Sequence, residues 1–255
     1  DWSSDVCSSD LVEVGTVTPK PQSGNPKPRL WRPAPGVLIN HMGFNSVGLS
    51  TFRQNILAYR SKTKGFPVFA NIGKNRETTL ENASEDYRAC FEALHDCVDG
   101  FVVNLSSPNT PGLVQLQSEA FLEQIASQAP IGKPVWIKLS PDLDNGDITR
   151  LGEWVAREER ITGIVLTNTS REMAEEVFGW DRGGLSGRLL FSRALECVTL
   201  ARQAVGPKKM VVGVGGIWNA EGARQMRRAG ADLIEVYTAF VYQGPKLLRA
   251  LSQLD

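Results

Sequence analysis

The sequence predicts an α/β protein of the TIM, or (β/α)8, barrel class, lacking its first strand and carrying a small accessory β insertion. Three observations lead there. Seven short runs rich in Val, Ile and Leu recur along the chain, and runs apolar on both faces mark parallel strands buried on both sides. Segments with helical spacing lie between them, so a βα unit repeats, which implies a parallel sheet with right-handed crossovers. The chain has 255 residues, about the length of an eight-stranded barrel. Seven strands and a long insertion then leave one strand unaccounted for.

The elements follow in order. Residues 1–11, DWSSDVCSSDL, are Ser- and Asp-rich without periodicity and lack the basic and apolar regions of a signal peptide. They resemble translated sequencing-adapter read-through and are expected to be a non-native or disordered leader, with residues 12–255 forming the barrel domain. The first strand is VEVGTV at 12–17. An insertion spans 18–50. Six of its residues from 19 to 35 are Pro, which argues against helix there, while VLIN at 37–40 suits a strand of an accessory sheet. Further strands are expected at 67–72, 100–105, 134–139, 163–168, 210–215 and 232–237. Between them, Ala83, Tyr87, Phe91 and Leu94 keep helical spacing within 81–97. Asp147 is a candidate cap for a helix over 147–158. Asn219 and Gly230 bracket another helix, and Pro245 suits the first turn of the last one.

Composition narrows the function classes. Lys+Arg and Asp+Glu both number 28, so no global positive field favours nucleic acid. No apolar run reaches the roughly 20 residues of a membrane helix. The cysteines at 7, 90, 97 and 197 lack metal-site spacing, and reduced thiols are expected. No metal site is expected.

The chemistry gathers at strand ends, where barrels of this class place their active sites. Asn71, Asn104, Lys138, Thr167 with Asn168 and Thr169, Gly215 with Gly216, and Tyr237 with Thr238 all fall there. A lysine within a buried strand needs partners. Lys138 is either an outward side chain snorkelling past a helix or a fixed cation facing an electron-rich cofactor. The Gly pair in GVGGI (213–217) is a tight turn or a phosphate cradle, and its place on the penultimate strand favours the cradle. The loop SSPNTPGL (106–113) is a surface loop or an active-site lid. Of the two histidines, His95 falls in a helix and His41 beside the expected site. Either Ser106 or Ser107 would need help from its surroundings to act as a base.

EVGTVTPKPQ, INHMGFNS, ANIGKN, VNLSSPNTPGL, VLTNTS, GGLSG, GVGGI and YTAFVYQGP occur in this order from Val12 to the C-terminal region. In that series the chain resembles the quinone-dependent (class 2) dihydroorotate dehydrogenases. The resemblance implies a flavoprotein oxidoreductase that converts dihydroorotate to orotate in pyrimidine (UMP) biosynthesis, with quinone as electron acceptor. It implies that Thr16, Asn71, Asn104, Lys138, Thr167, Gly187, Gly216, Tyr237 and Thr238 hold flavin mononucleotide (FMN), the last three of these at its phosphate end. It places Asn40, His41, Met42, Gly43, Phe44, Asn104, Asn109, Asn168 and Thr169 in the substrate pocket. Ser107 matches the base that removes the C5 proton while a hydride passes from C6 to flavin N5; the cytosolic class has Cys at this position.

The chain departs from the family pattern at His41, where Arg is usual, at Ser46, where Asn is usual, and at Leu189, where Pro is usual. Roughly the first quarter of a family member has no counterpart in it. That quarter holds the quinone-tunnel helices, the first barrel strand and a lysine for the orotate carboxylate. A chain without those parts is expected to bind flavin poorly, to leave quinone unreduced and to be soluble. Contact with the cytoplasmic face of the cell membrane is implied for the full-length family. Other outcomes for the same motifs are a different flavin-dependent barrel reductase acting on a related pyrimidine, or a binding module without a redox cofactor.

Overall fold

A computed structural model describes residues 11–63, 66–110 and 112–252. Seven parallel strands form the main sheet: β1 (Val12–Val17), β4 (Val68–Ile72), β5 (Gly100–Asn104), β6 (Val135–Leu139), β7 (Gly163–Leu166), β9 (Met210–Val214) and β10 (Leu233–Glu235). They lie side by side in that order, with β1 and β10 at the two edges. Each coincides with an expected strand to within two residues. The leader lies outside the described residues except for Leu11, which packs against the apolar layer inside the sheet.

Strand periodicity explains the interior. Successive side chains alternate between faces. Phe69, Val102, Trp136, Val165 and Val212 form one buried cluster, with Leu233 packed against it, so each of six adjacent strands contributes one side chain to the same face. Phe69 and Trp136 stack there with ring centroids 4.2 Å apart. Two residues further along the same strands stand Asn71, Asn104, Lys138, Thr167, Val214 and Glu235. An apolar floor therefore carries a mostly polar layer towards the C-terminal end of the strands.

The same layer shows that the sheet is curled. Lys138 is on β6, the middle strand, three strands from either edge. In a flat sheet each edge would lie about 14 Å away at ~4.8 Å per strand. Yet Lys138 Nζ is 2.8 Å from Glu13 Oε1 on β1 and 3.3 Å from Glu235 Oε2 on β10. One side chain reaches both edges only if the sheet wraps round it. The result is a seven-stranded partial TIM barrel, and Lys138 points inward rather than past a helix.

The helices cover the outside. The first, α1 (Gly48–Lys62), begins inside the expected insertion, where the sequence reading foresaw none. It buries only Gly48 and Ile56, so its apolar signal is faint. α2 (Ala83–Leu94) buries Ala83, Tyr87, Cys90, Phe91 and Leu94, as the helical spacing requires. α3 (Glu119–Gln128) follows, then α4 (Asn145–Arg157). The cap of α4 is Asp144, whose side chain accepts from Asp147 N at 2.7 Å. Asp147 is therefore in the first turn rather than at the cap, because a capping carboxylate must sit about three residues before the amide it serves. α5 (Arg171–Phe178), α6 (Phe191–Val205), α7 (Ala220–Arg228), α8 (Thr238–Gln243) and α9 (Pro245–Leu251) complete the set. Asn219 caps α7 through Gly222 N at 2.9 Å, and Pro245 opens α9, both as expected.

The accessory sheet is antiparallel: β2 (Leu30–Trp31), β3 (Val37–Asn40) and β8 (Gly184–Gly187). β3 is the expected VLIN strand. Its pairing with β8 brings two segments far apart in sequence together over one end of the barrel.

Candidate active site

A cavity of about 290 Å³ opens where the polar layer ends. Its wall includes Thr16, Asn40, Met42, Gly43, Phe44, Asn104, Ser107, Asn109, Asn168 and Tyr237, all expected site residues. A larger groove, about 630 Å³, runs between Lys20–Gly24 and Asn75–Asn82 and shares only Gly43 with it. The polar layer does not open into that groove.

Below the cavity a continuous hydrogen-bond network crosses the barrel. Thr16 Oγ1 donates to Asn71 Oδ1 at 2.6 Å. Asn104 Nδ2 donates to the same oxygen and to Thr16 Oγ1, each at 3.2 Å. Asn71 Nδ2 donates to Glu13 Oε1 at 2.7 Å. The Asn104 carbonyl oxygen of the side chain accepts from Asn168 Nδ2 at 3.1 Å and from Ser106 N at 3.3 Å. From outside the barrel, buried Tyr87 on α2 donates to the Asn104 backbone oxygen at 3.0 Å. Each amide thus has its orientation set by a neighbour whose role as donor or acceptor is fixed.

The loop and the accessory sheet build the opposite wall. Asn109 Nδ2 donates to Asn40 Oδ1 at 2.9 Å and to Asn40 O at 3.2 Å. Its Oδ1 therefore faces His41 Nδ1, 3.1 Å away, and that ring nitrogen carries the proton. His41 supports Asn109 from behind and does not line the cavity. Ser107 is buried; its Oγ accepts from Asn109 N at 3.3 Å. Among the described residues its own hydroxyl hydrogen meets no acceptor. Thr169 N donates to Asn168 Oδ1 at 2.8 Å, while Thr169 Oγ1 is buried without a partner.

The remaining expected residues form a second cluster beside the first. Thr167 N donates to Val214 O at 2.6 Å. Gly216, at φ +70°, packs so tightly that a Cβ would lie 2.6 Å from Phe191 N and 2.8 Å from Gly187 O. Thr238 Oγ1 donates to Ser186 Oγ at 2.8 Å. Gly187 lies against Thr238, since a Cβ on it would meet Thr238 Cγ2 at 3.1 Å. Tyr237, 66% exposed, borders the cavity.

Two acids of the site escaped the sequence reading, Glu13 and Glu235. Glu235 lies two residues before Tyr237 and so in phase with it, whereas Glu13 stands three residues before Thr16 across the irregularity at Gly15/Val17, and no strand periodicity marks it. Their side chains are 15% and 17% exposed, and that of Lys138 is 12% exposed. Burial and the Glu13 charge push the Glu235 carboxyl up to about 8, which attraction to Lys138 only partly offsets. Glu13 is driven the other way: burial opposes its charge, but Lys138 and the hydrogen bonds it accepts hold it below the usual carboxylate range. For Lys138 burial is likewise outweighed by the two acids, and its ammonium is held charged. Burial and the Glu13 charge thus favour the protonated form of Glu235, which leaves one buried carboxylate opposite the Lys138 ammonium.

Comparisons with known proteins agree in one direction. A family model described as dihydroorotate dehydrogenase matches residues 4–254. A protein named dihydroorotate dehydrogenase (quinone) from Coxiella burnetii (strain Dugway 5J108-111) is 42% identical over 254 residues, an alignment covering 94% of this chain and 72% of that protein. One of the same name from Cupriavidus pinatubonensis (strain JMP 134 / LMG 1197) is 40% identical over 254 residues, covering 94% and 74%. The crystal structure of DHODH from Eimeria tenella in complex with ferulenol matches with a TM-score of 0.88 at 31% identity, covering 96% of this chain and 74% of that one. The ligand-free form from the same organism gives 0.87 at 32% identity, covering 96% and 76%.

Proposed function

The chain belongs to the dihydroorotate dehydrogenase family, and from that premise we propose that its cavity binds dihydroorotate beside flavin mononucleotide and converts it to orotate, with quinone as the final electron acceptor, in place of the weak flavin binding and idle quinone step that the sequence leads one to expect, because the polar layer and the cavity are assembled from this chain's own residues. The enzyme is a flavin-dependent oxidoreductase of the quinone type, and its reaction belongs to pyrimidine biosynthesis.

The donor set fits such a cofactor. A flavin ring presents alternating N–H and C=O groups and gains negative charge on reduction; amides offer both donors and acceptors, and a buried ammonium matches the charge. Asn71, Asn104 and Lys138 supply these groups in one layer. Gly216, Tyr237 and Thr238 are the residues proposed for the phosphate end of the cofactor: Gly216 takes φ +70°, a conformation that favours glycine, and Tyr237 and Thr238 lead into α8. When bound, flavin supplies the two-electron acceptor.

The protein's own work is done by the wall. Asn40, Asn109 and Asn168 orient the pyrimidine by its ring amide groups, and Met42, Gly43 and Phe44 close the cavity over it. Thr169 Oγ1, buried without a partner, is a hydrogen-bonding group that a ligand would satisfy. Ser107 Oγ takes the C5 proton as its own hydroxyl proton passes to solvent in the open cavity. The observation that carries this reading is the placement of Ser107, with its uncommitted hydroxyl, on the wall shared by Asn104, Asn109 and Asn168. The location proposed from the resemblance to the full-length family is the cytoplasmic face of the membrane; no helix among the described residues is long and apolar enough to cross it.

Replacing Ser107 by Ala tests the assignment. A positioned base contributes about a hundredfold or more in rate. The variant is expected to bind orotate as the parent does and to oxidise dihydroorotate at least about a hundredfold more slowly. Unchanged turnover removes Ser107 from the role.

A further inference from the structure

We propose, resting on the functional reading above for what the site binds, that Glu13 and Glu235 are positioning residues: together they hold the Lys138 ammonium in the polar layer, and Glu13 also fixes the Asn71 amide. Glu13 is on one edge strand of the sheet and Glu235 on the other, and Lys138 between them bonds to both.

Glu13 Oε1 carries the larger share. It accepts from Lys138 Nζ at 2.8 Å and from Asn71 Nδ2 at 2.7 Å. An asparagine amide has nearly the same shape either way round, so a neighbour must decide which end is oxygen. A carboxylate only accepts, so Glu13 turns the Asn71 nitrogen towards itself. The Asn71 oxygen is then left facing Thr16 and Asn104 on the cavity side. Reversing that amide would set its NH2 against the Asn104 NH2 and leave the network mispaired. Glutamine at position 13 would keep the shape but lose the compulsion, since it offers a donor as readily as an acceptor.

Glu235 supplies the second contact, at 3.3 Å. Its charged neighbours are Glu13 from β1 and Lys138 from β6. Glu13 Oε2 and Glu235 Oε1 are buried and meet no other donor, and a proton on Glu235 lets the two carboxyl groups hydrogen-bond to each other. With a proton on Glu235 the trio is neutral; without it the trio is an anion beneath the cavity. The carboxyl is pushed up to about 8 by burial and by Glu13, so this change falls near neutral pH.

The test compares the parent chain with Glu13→Gln and Glu235→Gln. Each is titrated with flavin mononucleotide by visible absorbance, and the midpoint potential of the bound flavin is measured against pH. Glu13→Gln is expected to weaken flavin binding about tenfold or more, the usual scale for losing a hydrogen bond to a charged group. It is also expected to raise the midpoint potential, because the ammonium then lacks its counter-charge. Glu235→Gln is expected to match the parent at pH 6 and to lose the parent's change in potential near pH 8. A purely structural tie between strands would lower thermal stability in both variants and leave potentials and pH profiles unmoved, which overturns the proposal.

Side-chain amide NMR of the ligand-free chain provides a readout independent of flavin. The Asn71 and Asn104 NH2 signals are expected to shift in Glu13→Gln. If that variant does not fold, Glu13→Asp, which keeps the charge but shortens its reach, is expected to move the same signals. A parent that takes up no flavin but whose signals shift in the variants refutes the functional reading and leaves the positioning roles supported. Unmoved signals refute the positioning roles whatever the flavin result.

Discussion

Ser107 owes its position to a loop that leaves β5 directly after Asn104, and the Asn109 amide holds its oxygen in place. The accessory sheet steadies that loop from the other side, through Asn40 and through Gly184. A Cβ on Gly184 would lie 2.0 Å from Thr169 Oγ1 and 2.8 Å from Pro108 Cγ. Gly184→Ala is therefore expected to destabilise the chain by about 1–3 kcal/mol, the cost of overpacking, and to weaken orotate binding by displacing Thr169. Urea unfolding and orotate titration check the two parts; unchanged binding would separate Thr169 from the pocket. At this scale the polar layer beneath the cavity was legible, because Asn71, Asn104 and Lys138 are polar residues inside otherwise apolar strands, while wall residues such as Asn40, Met42 and Asn109 followed from the resemblance alone. Glu13 and Glu235 were not, because a charged residue near a strand's end reads as solvent-facing until the curl of the sheet turns it inward. His41 was assigned to the pocket by its motif, yet it acts on the wall through Asn109, a distinction only side-chain geometry supplies.

Two elements repeat one fastening. Asp99, just before β5, accepts from Val68 N at the start of β4 at 2.7 Å and pairs with Arg60 near the end of α1. Asp232, just before β10, accepts from Val211 N of β9 at 2.8 Å and pairs with Arg202 on α6. In both, one carboxylate ties a helix to the N-terminal ends of two neighbouring strands, far from the cavity. Asp99→Ala is expected to cost about 1 kcal/mol, since the carboxylate is partly exposed and screened, and to lower Tm by a few degrees. Flavin and orotate affinities are expected to stay at parental values, and a thermal melt with ligand titrations checks both. The seven strands were legible because continuous Val/Ile/Leu runs have few other uses. α1 was not, because its amphipathic pattern is weak and Pro-rich sequence precedes it. β8, the segment GLSG, carries no β-branched residue; it is a strand because β3 pairs with it.

Across the whole molecule, the trio of Glu13, Lys138 and Glu235 couples proton binding to the curl of the sheet. Glu235 has a folded-state value of about 8, above the ~4.3 of an ordinary glutamate. Its contribution to stability is fully present below the ordinary value and is lost as pH rises through about 8. Glu13, held below the usual range, works in the opposite sense and loses its contribution only on the acid side. The ligand-free chain is therefore expected to lose stability between pH 5 and pH 8 from Glu235, on a slope approaching one proton. Glu235→Gln is expected to flatten that slope, as urea unfolding at several pH values would show; an unaltered slope would mean that the buried proton lies elsewhere.

The most direct measurement is the visible spectrum of the purified chain with excess flavin mononucleotide, before and after anaerobic addition of dihydroorotate. The flavin band is expected to change on binding and then to bleach with substrate, and in Ser107→Ala to bleach at least about a hundredfold more slowly. Bound flavin that stays oxidised with dihydroorotate, or that bleaches equally fast without Ser107, would contradict the assignment of this cavity as a dihydroorotate-oxidising site.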